Sequence, residues 1–203
     1  MVYERFATSL PERVMLWWFK IRRGWVPVAV AAATTVLAAW VGGTWVLLPS
    51  LFAGAQQTVM TVFLPVPIVA ALALSLDSRL HSFEATAIRA LRARDTLLIC
   101  TALGVCLIVS AVLTSAVGAA TARNVAFLTG LMLTIWPWAR QASVMIPVMW
   151  IAVLVFFSRN PYPDPDWWTV LPEPASAPHA AAAAIVSLAM GLTVRLRARP
   201  EQP

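Results

Sequence analysis

The chain has 203 residues, of which 60% are hydrophobic and only 12% are charged. A typical soluble domain carries about 25% charged residues, so this composition cannot cover a globule of this size with a solvated surface. It excludes a soluble enzyme, a disordered tail and a nucleic-acid-binding domain. The net charge of +6 is expected to reflect membrane topology, because Lys and Arg collect in the cytoplasmic loops of membrane proteins.

The residues before the first apolar segment predict an amphipathic helix. Over residues 8–23, Trp and aliphatic side chains share one helical face, and Arg and Lys side chains lie mostly on the other. This arrangement suits the headgroup zone of a membrane. Such a helix either only anchors the first span or also contacts a cytoplasmic partner, and both interpretations stay open.

Six apolar segments predict six membrane-spanning helices, each of which needs roughly 17–25 residues. In chain order they are residues 25–48, 58–76, 96–117, 120–138, 143–157 and 180–194. Pro65 and Pro67 lie in the middle of the second segment and predict a bend or break, because Pro removes a helical hydrogen bond and crowds the preceding turn. Asp95 is the expected N-cap of the third segment, so no Asp or Glu is expected inside a span.

The fourth and fifth spans are divided from one apolar run over residues 124–157, which contains one charge, Arg140. A single helix of that length would measure ~51 Å, whereas the hydrocarbon core is ~30 Å thick. The run must therefore turn. Residues 136–141, which contain a proline, two Trp and the Arg, mark the expected turn.

The loop over residues 77–95 predicts a short helix between spans two and three. Its apolar side chains recur at helical spacing and are Leu80, Phe83, Ala87 and Leu91. The basic side chains beside them include Arg89 and Arg92. Such a helix either docks into a groove of a soluble partner or is a solvated basic turn that only fixes topology.

The segment over residues 158–179 is the longest predicted outer loop. Its proline-rich first half is incompatible with helix, and the aromatic pair that follows predicts a short interfacial turn. The segment is either a rigid connector with Trp anchors or an extracellular gate. We expect Arg123 to extend to the outer interface and His179 to be a surface residue.

The positive charges predict that both termini are cytoplasmic. With six spans, thirteen of the fifteen Lys and Arg residues fall on one side of the membrane, and only Arg123 and Arg159 fall on the other. This asymmetry follows the positive-inside rule. The predicted organisation is a single transmembrane domain over 1–203. It comprises a cytoplasmic segment 1–24, five spans within 25–157, an outer loop 158–179, and a sixth span with a basic tail over 180–203.

The sequence contains no catalytic signature. It lacks a nucleophile elbow, a His-Glu-x-x-His zinc motif and a phosphate-binding glycine-rich loop. His81 and His179 fall on opposite sides of the membrane in the predicted topology, so they cannot share a metal or haem. We therefore predict no catalytic, metal-binding or cofactor-binding residue, and any ATP hydrolysis would belong to a partner subunit.

The order of these elements resembles the permease subunits of bacterial ATP-binding-cassette exporters of the six-helix class. In that class an amphipathic connecting helix precedes the first span, and a coupling helix between spans two and three seats on the ATPase. By this resemblance, residues 12–23 correspond to the connecting helix and residues 78–94 to the coupling helix. Residues 83–92 and 122–130 also resemble small actinobacterial membrane proteins, some of them associated with such exporters.

The resemblance implies an all-α polytopic fold and a permease function that depends on a separate ATPase and a second permease chain. It implies that the partner-binding residues are Leu80, Phe83, Ala87, Leu91, Arg89 and Arg92. It also implies a multi-pass location in the bacterial plasma membrane, with lipid but no nucleic acid as a further contact. The alternatives are a non-transporting accessory, immunity or assembly protein and, less favoured by the residues, a membrane enzyme.

Overall fold

The computed structural model of the chain describes residues 24–50, 54–77, 88–157 and 168–197. Three predicted features therefore lie wholly or partly outside the described residues. These are the amphipathic segment before residue 24, the loop residues 78–87 and the proline-rich outer residues 158–167.

The described part is mostly helical. Its six α-helices are α1 (Trp25–Val41), α2 (Pro65–Asp77), α3 (Ile88–Val112), α4 (Ala116–Ala139), α5 (Met145–Phe157) and α6 (Pro178–Arg197). Short 3-10 turns over Met60–Val62 and Arg140–Val144 precede α2 and α5.

Four of the apolar helical segments are long enough to cross a membrane. They are Met60–Asp77, Arg94–Val112, Ala116–Ala139 and Pro178–Arg197. The other two apolar helices are shorter, and at 1.5 Å per residue α1 extends about 26 Å and α5 about 20 Å. Since the hydrocarbon core is about 30 Å thick, the described part holds four candidate spans and two short apolar helices, where the sequence predicts six spans.

The predicted first span is wrong beyond Val41, where the helix ends and a β-hairpin follows. Strand β1 (Trp45–Ser50) pairs antiparallel with β2 (Gly54–Val59), with Trp45 opposite Val59. Gly42 and Gly43 separate α1 from β1, and Gly is among the weakest helix formers. The hairpin begins with Trp45 and Val46 and ends with Thr58 and Val59, which are residue types that favour extended structure. Because α1 and the first residues of β1 are all apolar, composition alone does not distinguish the strand from the span.

The predicted break at the two prolines of the second span is confirmed, and it takes the form of a helix start. Pro65 is the first residue of α2, where the missing N–H would have no helical partner in any case. The Phe63 carbonyl, four residues before Pro67, accepts a hydrogen bond of 3.1 Å from the Val66 backbone N–H.

The prediction that Asp95 caps the third span is wrong. Helix α3 begins at Ile88, so Asp95 lies inside it, and only 3% of its surface is exposed. The boundary expected between a coupling helix and the third span is also wrong, because α3 passes through it without interruption.

The sequence predicts that the third span ends at residue 117, but helix α3 ends at Val112. Thr114 adopts a positive φ of 47°, and Ser115 then caps α4 by accepting a hydrogen bond of 3.1 Å from the Gly118 N–H. The chain therefore reverses within three residues.

The predicted turn within the long apolar run is confirmed. Helix α4 continues through Pro137 and ends at Ala139, and Arg140 has a positive φ of 41°. The 3-10 turn then leads into α5. A residue with a left-handed backbone cannot continue an α-helix, so the run is divided at Arg140.

Helix α4 is the centre of the bundle and contacts each of the other five helices. Its most extensive partner is α6, which runs parallel to it. We call the end where α4 and α6 begin the loop end, and the end where they finish the basic end. The described Arg residues at the basic end are Arg94, Arg140, Arg195 and Arg197. The core between the ends consists of aliphatic side chains such as Leu72, Leu128, Met132, Leu133 and Leu154.

Candidate functional site

A buried ion pair joins α3 to α6 at the basic end. Arg195 Nη2 lies 2.6 Å from Asp95 Oδ2, and the side chains are only 6% and 5% exposed. The partners are 100 residues apart in the sequence. Ionisable groups within membrane helices are rare and mark functional sites by default. This pair is therefore the candidate functional site.

Helix α4 contributes an aromatic ring to the same site. The Arg195 guanidinium carbon lies 5.6 Å from the centre of the Trp136 ring, within the range of a cation–π attraction. Trp136 is itself 6% exposed. Three helices thus meet at one guanidinium, and the site can hold their ends together.

Small residues allow α4 and α6 to approach each other midway between the two ends. A Cβ atom at Gly191 would lie 2.5 Å from the Gly130 carbonyl oxygen, and one at Gly130 would lie 2.5 Å from the Leu188 nitrogen. Ser187 donates a hydrogen bond of 2.9 Å to the Phe127 carbonyl across the same contact. Close packing of small residues and interhelical hydrogen bonds are typical of membrane helices.

At the loop end, Arg123 binds the backbone of the segment that precedes α6. Its guanidinium donates hydrogen bonds of 2.7 Å to the Pro174 carbonyl, 3.0 Å to the Val170 carbonyl and 2.7 Å to the Glu173 carbonyl. The neighbouring Asn124 amide donates one of 2.8 Å to the Leu171 carbonyl. Protein carbonyls therefore occupy the donors of Arg123, an arrangement that the predicted extension to the outer interface did not include.

The same segment also contacts the start of α6. Glu173 Oε1 lies 3.3 Å from His179 Nε2, and the His179 side chain is half exposed, as predicted for a surface residue. Thr169, Val170 and Leu171 are buried. The described part of the outer segment is thus packed against the bundle through its backbone and its apolar side chains.

Loss of the Arg123 side chain should release this segment. We expect Arg123→Ala to leave three carbonyls without their donor, and the segment should then loosen. With a cysteine at Leu171, which is 1% exposed, the variant should react with a water-soluble maleimide several times faster than the parent. Ser176→Cys, which is already exposed, is the matched control and should react equally in both backgrounds. Equal protection of position 171 would contradict the assignment.

The structure describes only the backbone of three of the six predicted partner-binding residues. Leu80, Phe83 and Ala87 lie outside the described residues, and the backbone of Arg89, Leu91 and Arg92 belongs to the first turns of α3. Sequence reasoning missed Asp95, Arg195 and Trp136. A signal existed for Asp95, because an acid directly beside an apolar run can face the bundle interior as well as cap a helix.

No protein-family model, curated protein or solved structure matches the chain. Within the described ranges, no three His, Cys, Asp or Glu side chains gather where they could hold a metal ion.

Proposed function

We propose that the chain is the membrane-spanning permease subunit of a bacterial ATP-binding-cassette exporter, driven by a separate ATPase that binds the 78–94 segment. The basic end of the bundle faces the cytoplasm in this proposal. The orientation is supported by the positive-inside rule, since thirteen of the fifteen Lys and Arg residues lie on that side when all six apolar segments cross the membrane.

The observation that carries the proposal is the continuity of α3. Its most apolar part begins at Arg94, whereas the helix begins at Ile88. About two helical turns that carry Arg89 and Arg92 therefore extend beyond the apolar part. Because a continuous helix is stiff, a force applied by a partner to these turns would pass directly into the span and to the Asp95–Arg195 pair.

The proposal predicts unequal effects of two substitutions in the partner-binding segment. Phe83→Ala should weaken co-purification of the ATPase at least tenfold, because buried aromatic anchors dominate most interfaces. Arg92→Ala should weaken it less, and chiefly at low salt, because rim charges mainly tune association rates. The measurement is quantitative capture of the co-expressed ATPase by the detergent-solubilised chain.

A loop replacement supplies the control. Residues 78–87 are replaced by a Gly/Ser linker, and Arg89, Arg92 and Arg94 remain in α3 to preserve the topology. If this variant still captures the ATPase and still supports export, the segment is a topological spacer and the permease proposal fails.

A second candidate, a non-transporting accessory or assembly protein, is favoured by how α6 is fastened. Hydrogen bonds hold its loop end, close packing holds its middle and an ion pair holds its basic end. A static scaffold would need α6 to be held in place along its whole length in this way. Movement of α6 that depends on ATP and the partner would separate the two candidates, because a scaffold would show none.

A further inference from the structure

The attachment of α6 differs along its length. It packs chiefly against α4, and its opposite face leaves apolar side chains exposed, namely Ile185, Val186, Met190 and Leu196. In a bilayer these side chains face lipid. Because lipid molecules rearrange around a helix that moves, the side chains stay out of water when α6 moves. The position of α6 is therefore set by its contacts with α4, with the segment before it and with α3.

Contacts that involve backbone atoms hold the loop end and the middle of α6 in place. Arg123 and Asn124 donate hydrogen bonds to four backbone carbonyls of the segment before α6, those of residues 170, 171, 173 and 174. The Gly130–Gly191 approach brings the two helix backbones into contact. Close-packed interiors resist continuous deformation, so these contacts define a fixed portion and a pivot.

The basic end of α6 is joined to α3 through side-chain charge. The Asp95–Arg195 pair lies in the last turn of α6 and at the start of the apolar part of α3. An Arg at a helix end can extend to the headgroup zone when its partner is withdrawn, so separation here exposes both charges to water and not to hydrocarbon. The pair is thus placed where it can open and close reversibly.

We propose that the Asp95–Arg195 pair is a latch that holds the basic end of α6 against α3. When the latch opens, the part of α6 beyond Gly191 bends away from α3 about the Gly130–Gly191 contact, while the rest of α6 stays in place. Trp136 holds the Arg195 guanidinium in place while the latch is closed. Only the identity of what opens it, a pull of the ATPase on α3, rests on the proposed function. The latch itself belongs to this chain alone.

Two spin-label pairs in the purified full chain test the latch. In a Cys100→Ala/Cys106→Ala background, labels at Leu97 and Leu196 report the basic end, and labels at Ala116 and Ala182 report the loop end; all four positions are exposed. Asp95→Asn should lengthen and broaden the 97–196 distance distribution by several ångströms and leave the 116–182 distribution unchanged. Arg197→Gln, which alters an exposed Arg in the same turn, should change neither.

Restoration of the charge pair should restore the short distance. The exchanged variant, Asp95→Arg/Arg195→Asp, should return the 97–196 distribution to that of the parent. If the exchanged variant does not fold, Arg195→Lys must give the short distribution, because it keeps the positive charge.

The latch is overturned if Asp95→Asn leaves both distributions unchanged, or if it broadens both equally. The first result would mean that the pair holds nothing, and the second that it supports the whole fold. Because no ATPase is present in these samples, their outcome is independent of the co-purification experiment, and either proposal can fail without the other.

Discussion

Asp95→Ala should lower the free energy of unfolding in detergent micelles by about 3 kcal/mol. Removal of one partner of a buried ion pair typically costs about 3–5 kcal/mol, because the other charge stays buried without compensation. We expect the lower end of that range, because Arg195 lies in the last turn of α6 and can recover part of its solvation by extending toward the headgroup zone. Equilibrium unfolding with SDS in mixed micelles measures the change.

The double variant identifies the source of this loss. In Asp95→Ala/Arg195→Ala no buried charge remains, so the combined loss should be smaller than the sum of the two single losses by at least about 1 kcal/mol. Arg197→Ala, which alters an exposed Arg of the same helix end, should change stability by less than about 0.5 kcal/mol. Additive losses would show that the two charges do not interact.

Gly130→Ala should destabilise the bundle by about 3 kcal/mol. The new Cβ would lie 2.5 Å from both the Leu188 nitrogen and the Ser187 carbonyl oxygen, and backbone atoms cannot move aside as a side-chain end can. Insertion of atoms into a packed interior costs about 1–3 kcal/mol, and a contact with backbone belongs at the upper end. Helices α4 and α6 would be forced apart at the pivot.

Gly104→Ala is the matched control for this prediction. It lies inside α3, and a Cβ there would meet no atom within 4 Å. Ala is a better helix former than Gly by about 1 kcal/mol, so this variant should be as stable as the parent or more stable. The two substitutions add the same methyl group, and SDS unfolding should therefore give shifts of different sign. Equal shifts would contradict the close approach of α4 and α6.

The parts of the fold that follow from composition and charge could be predicted from the sequence. Long apolar segments predict helices because lipid cannot satisfy free backbone groups, and the helices α2, α4 and α6 overlap the predicted spans. The turn at Arg140 was predictable because no single helix of that length fits the bilayer. The break before α2 was predictable because Pro65 and Pro67 have fixed backbone angles.

Two local features could not be predicted from hydropathy. The residues from Trp45 to Leu48 are apolar, and such a run is compatible with either a strand or a helix. Only the Gly42–Gly43 pair before them indicates that the helix has ended. Asp is a preferred N-cap residue, and Asp95 directly precedes an apolar run. The basic residues before it have ordinary helix propensity, however, so the helix begins earlier, at Ile88. In both places a pattern of residue types was compatible with two backbones.

The candidate site could not be predicted because its members are distant in the sequence. Arg195 resembles any basic residue that follows a span, and nothing near it indicates a partner 100 residues earlier. Arg123 resembled a free interfacial cation for the same reason, since its acceptors are backbone carbonyls and carry no sequence signature. Tertiary packing alone brings these groups together.

The orientation of α6 is the central claim, because the permease proposal requires the basic end to face the cytoplasm, where an ATPase can reach α3. It is tested by single cysteines at Ser176, Arg197 and Ser82 in a Cys100→Ala/Cys106→Ala background, labelled in intact cells with a membrane-impermeant maleimide. Position 176 should label from outside, and positions 197 and 82 should label only after permeabilisation. Labelling of 176 and 197 from the same side, or the reverse pattern, would contradict the account.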